Sequence, residues 1–348
     1  MPYEPPLDAA AARRSRIWRW VSFLLVAVLV GLVGYLAWVG YDGSAQLVDA
    51  RAPSADCRTP ASAFSWDYDA INYNGSADAV LVQVADPLNC PQHGPTAGAD
   101  LTAADGTRIA AWYIPAGGSI GPDGPTVIVA HDHGGNKSTM LDYAEPLHRR
   151  YNLVLFDFRN HAQSGGSQTT AGVLEQEDLQ AVVDWLSDIK HPSAIAVLGV
   201  GLGGAAAVNE ADTDPRVGAL ILDSTHATLA NALHARIEAG GYPLPLPGAW
   251  SILLGGLIRT GQDMSAVDPV QAIERYGERP VLIIEGGRDT AVGPTDGADL
   301  RDAAVAGGSQ AELQTCADAG HDGAITTCAA DYRDWMLGFL GRSLAAAP

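Results

Sequence analysis

Short apolar runs alternate with helically spaced patterns over most of the chain beyond residue 120. The runs are Thr126–Ala130, Leu153–Phe156, Ala194–Leu198, Ala219–Leu222, Val281–Ile284 and Glu312–Thr315. Most are apolar on both faces, as strands of a parallel sheet covered by helices must be. Between them, Leu174, Leu179, Val182, Val183 and Leu186 recur at helical spacing in Leu174–Ile189. Such alternation predicts a doubly wound, mostly parallel α/β sheet. Ahead of it, Leu101–Ala103 and Thr107–Tyr113 flank Asp105-Gly106, the turn signal of a hairpin.

One stretch breaks the alternation. Between Ser224 and Asp268, helical patterns at His226–Ala239 and Trp250–Thr260 surround a Pro-rich segment, Tyr242 to Gly248. With no strand of its own it reads as a small helical cap, about 225–267, over the carboxyl end of the sheet. An ordinary long connection is the other reading. Trp250, Leu253, Leu254 and Leu257 form an apolar stripe whose expected use is to cover the sheet.

The N-terminal pattern is different. From Trp20 to Tyr41 the chain runs 22 residues without a charge, roughly 33 Å as a helix. Arg13, Arg14, Arg16 and Arg19 precede this run, and Asp42 and Asp49 follow it. The expected organisation is a short cytoplasmic N-terminus (1–19), a single-pass transmembrane anchor (20–41), a stalk and irregular lead-in (42–97) and an extracytoplasmic domain (98–345). A cleaved signal peptide ending near Gly43 and Ala45 is the rival, against which the length of the run argues.

Composition narrows the function. The 348 residues are 47% apolar with a formal net charge of −19. They suit a large buried core and repel a phosphate backbone, so no nucleic-acid partner is expected. Cys57, Cys90, Cys316 and Cys328 all follow the anchor, where disulfides persist. Three pairings are open, and locality favours Cys57–Cys90 with Cys316–Cys328. Asn74-Gly75-Ser76 is a short glycosylation sequon. Oligomeric state is not legible.

In open α/β sheets, chemistry sits beyond the carboxyl ends of strands. The loops there read His131-Asp-His-Gly-Gly-Asn-Lys-Ser138, Asp157-Phe-Arg-Asn-His-Ala-Gln-Ser-Gly165, Gly199-Val-Gly-Leu-Gly-Gly204, Glu285-Gly-Gly-Arg-Asp289 and Ala319-Gly-His-Asp322. In this order they resemble the α/β-hydrolase superfamily, in its serine-aminopeptidase-like and esterase-like branch. The resemblance implies ester or amide hydrolysis without a cofactor, with Asp289 as triad acid and His321 as triad base. It puts the oxyanion donors at His133 and Leu202, and a structural loop at Asp157, Arg159, His161 and Ser164. An ion pair between Asp157 and Arg159 and a satisfied loop histidine at His161 are the expectations there.

Two positions depart from the family. Its nucleophile elbow, G-x-S-x-G, reads Gly199-Val-Gly201-Leu-Gly203, leaving no hydroxyl at Gly201. Asp132 stands where the oxyanion loop has Gly, and a carboxylate there opposes a developing oxyanion. Catalysis is therefore expected to be weak or lost. A non-catalytic surface protein holding a small acyl or peptide-like ligand under the cap is the alternative. Water activated by His321 and Asp289 is another, in which case Gly201→Ser would raise esterase activity sharply. Ser138 and Ser224 follow strands but not at an elbow. Gly199, Gly201 and Gly204 also spell G-x-G-x-x-G, with Asp223 closing the next strand, the pattern of a dinucleotide site. That fingerprint normally opens its domain, and it leaves the other loops unexplained. No metal is expected, because His131, Asp132 and His133 are adjacent and would face opposite ways on an extended chain.

Overall fold

The computed structural model describes residues 9–49, 56–71, 96–97 and 101–344. The sequon and Cys90 lie outside these residues. The apolar runs all enter one sheet. Its strands are β1 (Asp69–Ile71), β2 (Thr96–Ala97), β3 (Ala111–Ile114), β4 (Thr126–Ala130), β5 (Asn152–Phe156), β6 (Ile195–Val200), β7 (Val217–Asp223), β8 (Val281–Gly286) and β9 (Ala311–Cys316). The order is β2-β1-β3-β5-β4-β6-β7-β8-β9. β3 runs antiparallel to β1 and β5, and every pair from β5 to β9 is parallel. Strands β4, β5 and β6 are buried along their whole length. The edge strand β9 is only half-buried, which is why it can carry Glu312 and Gln314.

The helices are α1 (Ala9–Val48), α2 (Pro60–Phe64), α3 (Leu141–Ala144), α4 (Glu175–Ile189), α5 (Leu202–Ala211), α6 (Leu229–Ala239), α7 (Pro245–Thr260), α8 (Pro269–Arg275), α9 (Asp296–Ala306), α10 (Ala324–Thr327) and α11 (Ala329–Ser343). One face of the sheet is covered by Leu179, Val182 and Leu186 of α4, with Ala207 of α5 and Leu300 of α9. The other is covered by Leu141 of α3 and by Tyr332, Met336 and Phe339 of α11. The Asp105-Gly106 hairpin is short, a single bridge between Thr102 and Arg108. The strand proper, β3, begins only at Ala111.

The cap is the helical pair α6 and α7. Helix α7 starts at Pro245, five residues before the expected Trp250, because proline fits the first turn, where its missing N–H is not needed. The apolar stripe of α7 splits. Leu253 is buried with Ala249 and Ile252, whereas Trp250, Leu254 and Leu257 are exposed. Covering the sheet is therefore not the use of those three side chains. Helix α1 is long and apolar enough to cross a membrane. It runs unbroken to Val48 through residues the sequence assigned to a stalk, and α7 packs beside its last turns.

Candidate active site

The five loops converge at the carboxyl end of the sheet. Gly201 joins β6 to α5 with φ +50° and ψ −111°. That is the left-handed turn on which this fold type displays a side chain, and glycine adopts it without strain. The loop after β4 brings Asp132 against it. A Cβ placed on Gly201 would lie 2.0 Å from Asp132 Oδ1, inside the carboxylate.

Both Asp132 oxygens are engaged. Oδ1 accepts the Leu202 N–H at 2.6 Å, and Oδ2 lies 3.1 Å from His321 Nε2. On the other side of the ring, His321 Nδ1 lies 2.8 Å from Asp289 Oδ2. Asp289 is held in turn by the Ala291 N–H at 2.7 Å. An imidazole flanked by two carboxylates satisfies both only as imidazolium, donating from each nitrogen. Burial lowers the His321 pKa, but the bonds and charges of Asp132 and Asp289 outweigh it and raise it to about 10. Burial likewise opposes ionisation of Asp132. Its bonds to His321 and Leu202, with the Arg236 charge, hold it well below the usual carboxylate range.

The space left is small. A cavity of about 40 Å³ is bounded by Leu47, Asp132, His226, Leu233, Arg236 and His321, among others. That is room for about one water, far short of an acyl chain or peptide. Ser224 borders it at φ +50°, but its hydroxyl donates to Asp223 Oδ1 and accepts the Asp322 N–H, both at 3.0 Å. Ser138 does not line the cavity. His226 does, although it belongs to none of the five loop motifs and carries no signal in the sequence. Burial pushes its pKa down to about 4, and its Nε2 has no partner among the described residues.

The supporting loops differ from expectation. Asp157 and Arg159 do not pair with each other. Asp157 faces inward to the buried Lys137 ammonium and the Lys137 N–H, while Arg159 turns to Asp178 and Asp105. Two residues apart, they serve opposite sides of the loop. His161 accepts the Gly134 N–H at 3.2 Å and faces the Arg159 carbonyl at 2.8 Å, a satisfied loop histidine. The His133 ring reaches the Leu47 carbonyl at 2.9 Å and ties the loop to α1. Among the described residues no group of three His, Cys, Asp or Glu is placed to hold a metal.

Cys316 and Cys328 form a disulfide that closes the segment carrying His321. Cys57 is also disulfide-bonded, and Cys90, its expected partner, lies outside the described residues. A ring of this size constrains the unfolded chain by about 3 kcal/mol. Cys316→Ser/Cys328→Ser should lower the denaturation midpoint accordingly, with little change in secondary structure by circular dichroism. The G-x-G-x-x-G pattern has a steric cause. A Cβ on Gly199 would enter the Gly203 backbone, and one on Gly204 would enter Thr225. The Leu202 N–H at the start of the helix moreover already holds the Asp132 carboxylate, whose charge opposes a phosphate there.

No protein-family model matches the chain. The uncharacterised protein YfhR of Escherichia coli K12 is 34% identical over 154 residues, 42% of this chain and 52% of that protein. YfhR of Salmonella typhi is 28% identical over 266 residues, covering 71% and 82%. The chain thus spans about half the length of the first curated relatives it matches. Among solved structures, the Pyrococcus furiosus esterase Pf2001 superposes with a TM-score of 0.57 at 24% identity, over 71% of this chain and 92% of that one. Est1E from Butyrivibrio proteoclasticus, solved with ferulic acid, gives 0.53 at 18% over 68% and 97%. Strand order, turn geometry and these likenesses agree that the chain has the α/β-hydrolase fold.

Proposed function

We propose that this is a membrane-anchored hydrolase-fold module, closest in its motifs to the serine-aminopeptidase-like and esterase-like branch, whose serine chemistry has been replaced by a structural clamp. The N-terminus lies in the cytoplasm and the domain outside, as the arginines before the apolar run and the disulfide both favour. The observation that carries the reading is the placement of Asp132. Its carboxylate fills the volume that a side chain at position 201 would need, and takes both the Leu202 N–H and His321. A nucleophile, a vacant oxyanion site and a neutral base are what acyl transfer needs. With Asp132 ionised, none of the three is present. Asp132, Asp289 and His321 instead join the loops after β4, β8 and β9, which is a structural job.

The test is turnover of p-nitrophenyl acetate and butyrate by the full chain in detergent. The wild type should match His321→Ala within error. Turnover well above that control would mean that His321 still activates water, and would overturn the reading.

A further inference from the structure

Residues 239–258 are a second uncharged stretch, bounded by Glu238 and Arg259 and containing the α6–α7 tip and α7 up to Ile258, while the exposed charges of the cap, Arg236 and Glu238, lie before it on α6. Its exposed side chains form a continuous surface. Tyr242, Leu244 and Leu246 lie at the tip between α6 and α7, and Trp250, Leu254, Leu257 and Ile258 lie along α7. Ile258 is 76% exposed and Leu254 57%. Positions 250, 254, 257 and 258 share one helical face, opposite the buried Ala249, Ile252, Leu253 and Gly256. Nothing among the described residues covers that face.

The neighbour of this surface says what does. Helix α7 lies beside α1 and in the same direction. The Tyr35 hydroxyl donates to the Pro243 carbonyl at 2.7 Å, and Val39 Cγ1 lies 3.5 Å from where a Cβ on Gly248 would sit. Further along, a Cβ on Gly40 would meet the Ser251 carbonyl at 2.6 Å, and one on Gly255 the Gly40 carbonyl at 2.5 Å. Small residues on both helices let the backbones touch, the pattern of helices packed within a bilayer. The pairing ends at Arg259, whose guanidinium bonds Ser44 Oγ and the Tyr41 carbonyl, both at 2.9 Å. The first charge of α7 thus stands at the end of the uncharged run of α1. Tyr35 lies six residues inside that end, about 9 Å along the axis.

We infer that the α6–α7 tip and the outer face of α7 are embedded in the outer leaflet of the membrane that α1 spans, with lipid acyl chains as their partner. The inference rests on the anchored, domain-outside reading above. It accounts for an apolar patch that a soluble domain would not expose.

The test uses the full chain in phosphatidylcholine vesicles, with single cysteines at Leu25, Leu246, Leu254 and Ile189 labelled with nitrobenzoxadiazole. All four positions are exposed, and Ile189 ends α4 at the opposite end of the sheet. Doxyl-labelled phosphatidylcholine is the quencher. Leu25, Leu246 and Leu254 should each lose fluorescence by roughly twofold or more, and Ile189 should not. If Leu25 is quenched while Leu246 and Leu254 behave like Ile189, the embedding is wrong and the anchor stands. If Leu25 is also unquenched, the anchor fails and takes the embedding with it. Blue-shifted emission at Leu254 without quenching would indicate a protein partner on this face, such as a second copy, and would also overturn the proposal.

Discussion

Asp132→Gly/Gly201→Ser is expected to gain ester hydrolysis where Gly201→Ser alone does not. In the single variant the new Cβ collides with the Asp132 carboxylate, and His321 stays protonated. Removing that carboxylate frees the Leu202 N–H for an oxyanion and leaves His321 with one acidic partner, Asp289, as a general base requires. The serine would take up the strained backbone of the turn at a cost of about 1–2 kcal/mol. Assembled serine, base and acid act as a unit, so the double variant should exceed the wild type by about 10³-fold or more in kcat/KM for p-nitrophenyl butyrate. Equal activity in the single and double variants would show that Asp132 is not what blocks the site.

The second large effect is on stability. Each member of the Asp132–His321–Asp289 chain is mostly buried, so deleting one partner strands the others. His321→Ala should cost about 3–5 kcal/mol in chemical denaturation. Asp132→Asn, which keeps the shape and the bond to Leu202, should cost less. The pH dependence follows from the directions of the shifts. His321 has a raised folded pKa, so its contribution is complete below about pH 6.5 and is lost as pH climbs through about 10. Asp132 is depressed, so its contribution is complete above about pH 4 and is lost on acidification. The two describe one ion pair and count once. Wild type should therefore lose more thermal stability between pH 7 and 10 than Asp132→Asn does, by several degrees.

The sheet was legible because its strands are buried on both sides, which writes them into the sequence as continuous apolar runs. The expected Thr126–Ala130 is β4 to the residue. The loops were legible because residues closing such strands point to one end of the sheet. What periodicity does not carry is which residue fills a space that another vacates. Asp132 and Gly201 are 69 positions apart, and only the packed turn shows one carboxylate occupying the place of a missing side chain. Lys137 is hidden for a related reason. A lysine in a loop reads as solvated, and only the packed loop shows Asp157 and Gln163 turned inward to hold its ammonium. The outer face of α7 reads as apolar in the sequence, where covering the sheet is its expected use. Which way it faces is set by α1, which continues into the domain and packs beside it.

The clamp depends above all on the charge of one imidazole. Selective ¹⁵N-histidine labelling of the full chain in detergent, assigned with His321→Gln, reports the protonation of both ring nitrogens across pH. With Asp132 and Asp289 on either side, His321 should stay an imidazolium through pH 8 and titrate near pH 10, falling toward the ordinary histidine range in Asp132→Asn. A His321 ring that is neutral at pH 8 and titrates near 6.5 would contradict the clamp, and would return the site to the chemistry of a waiting base.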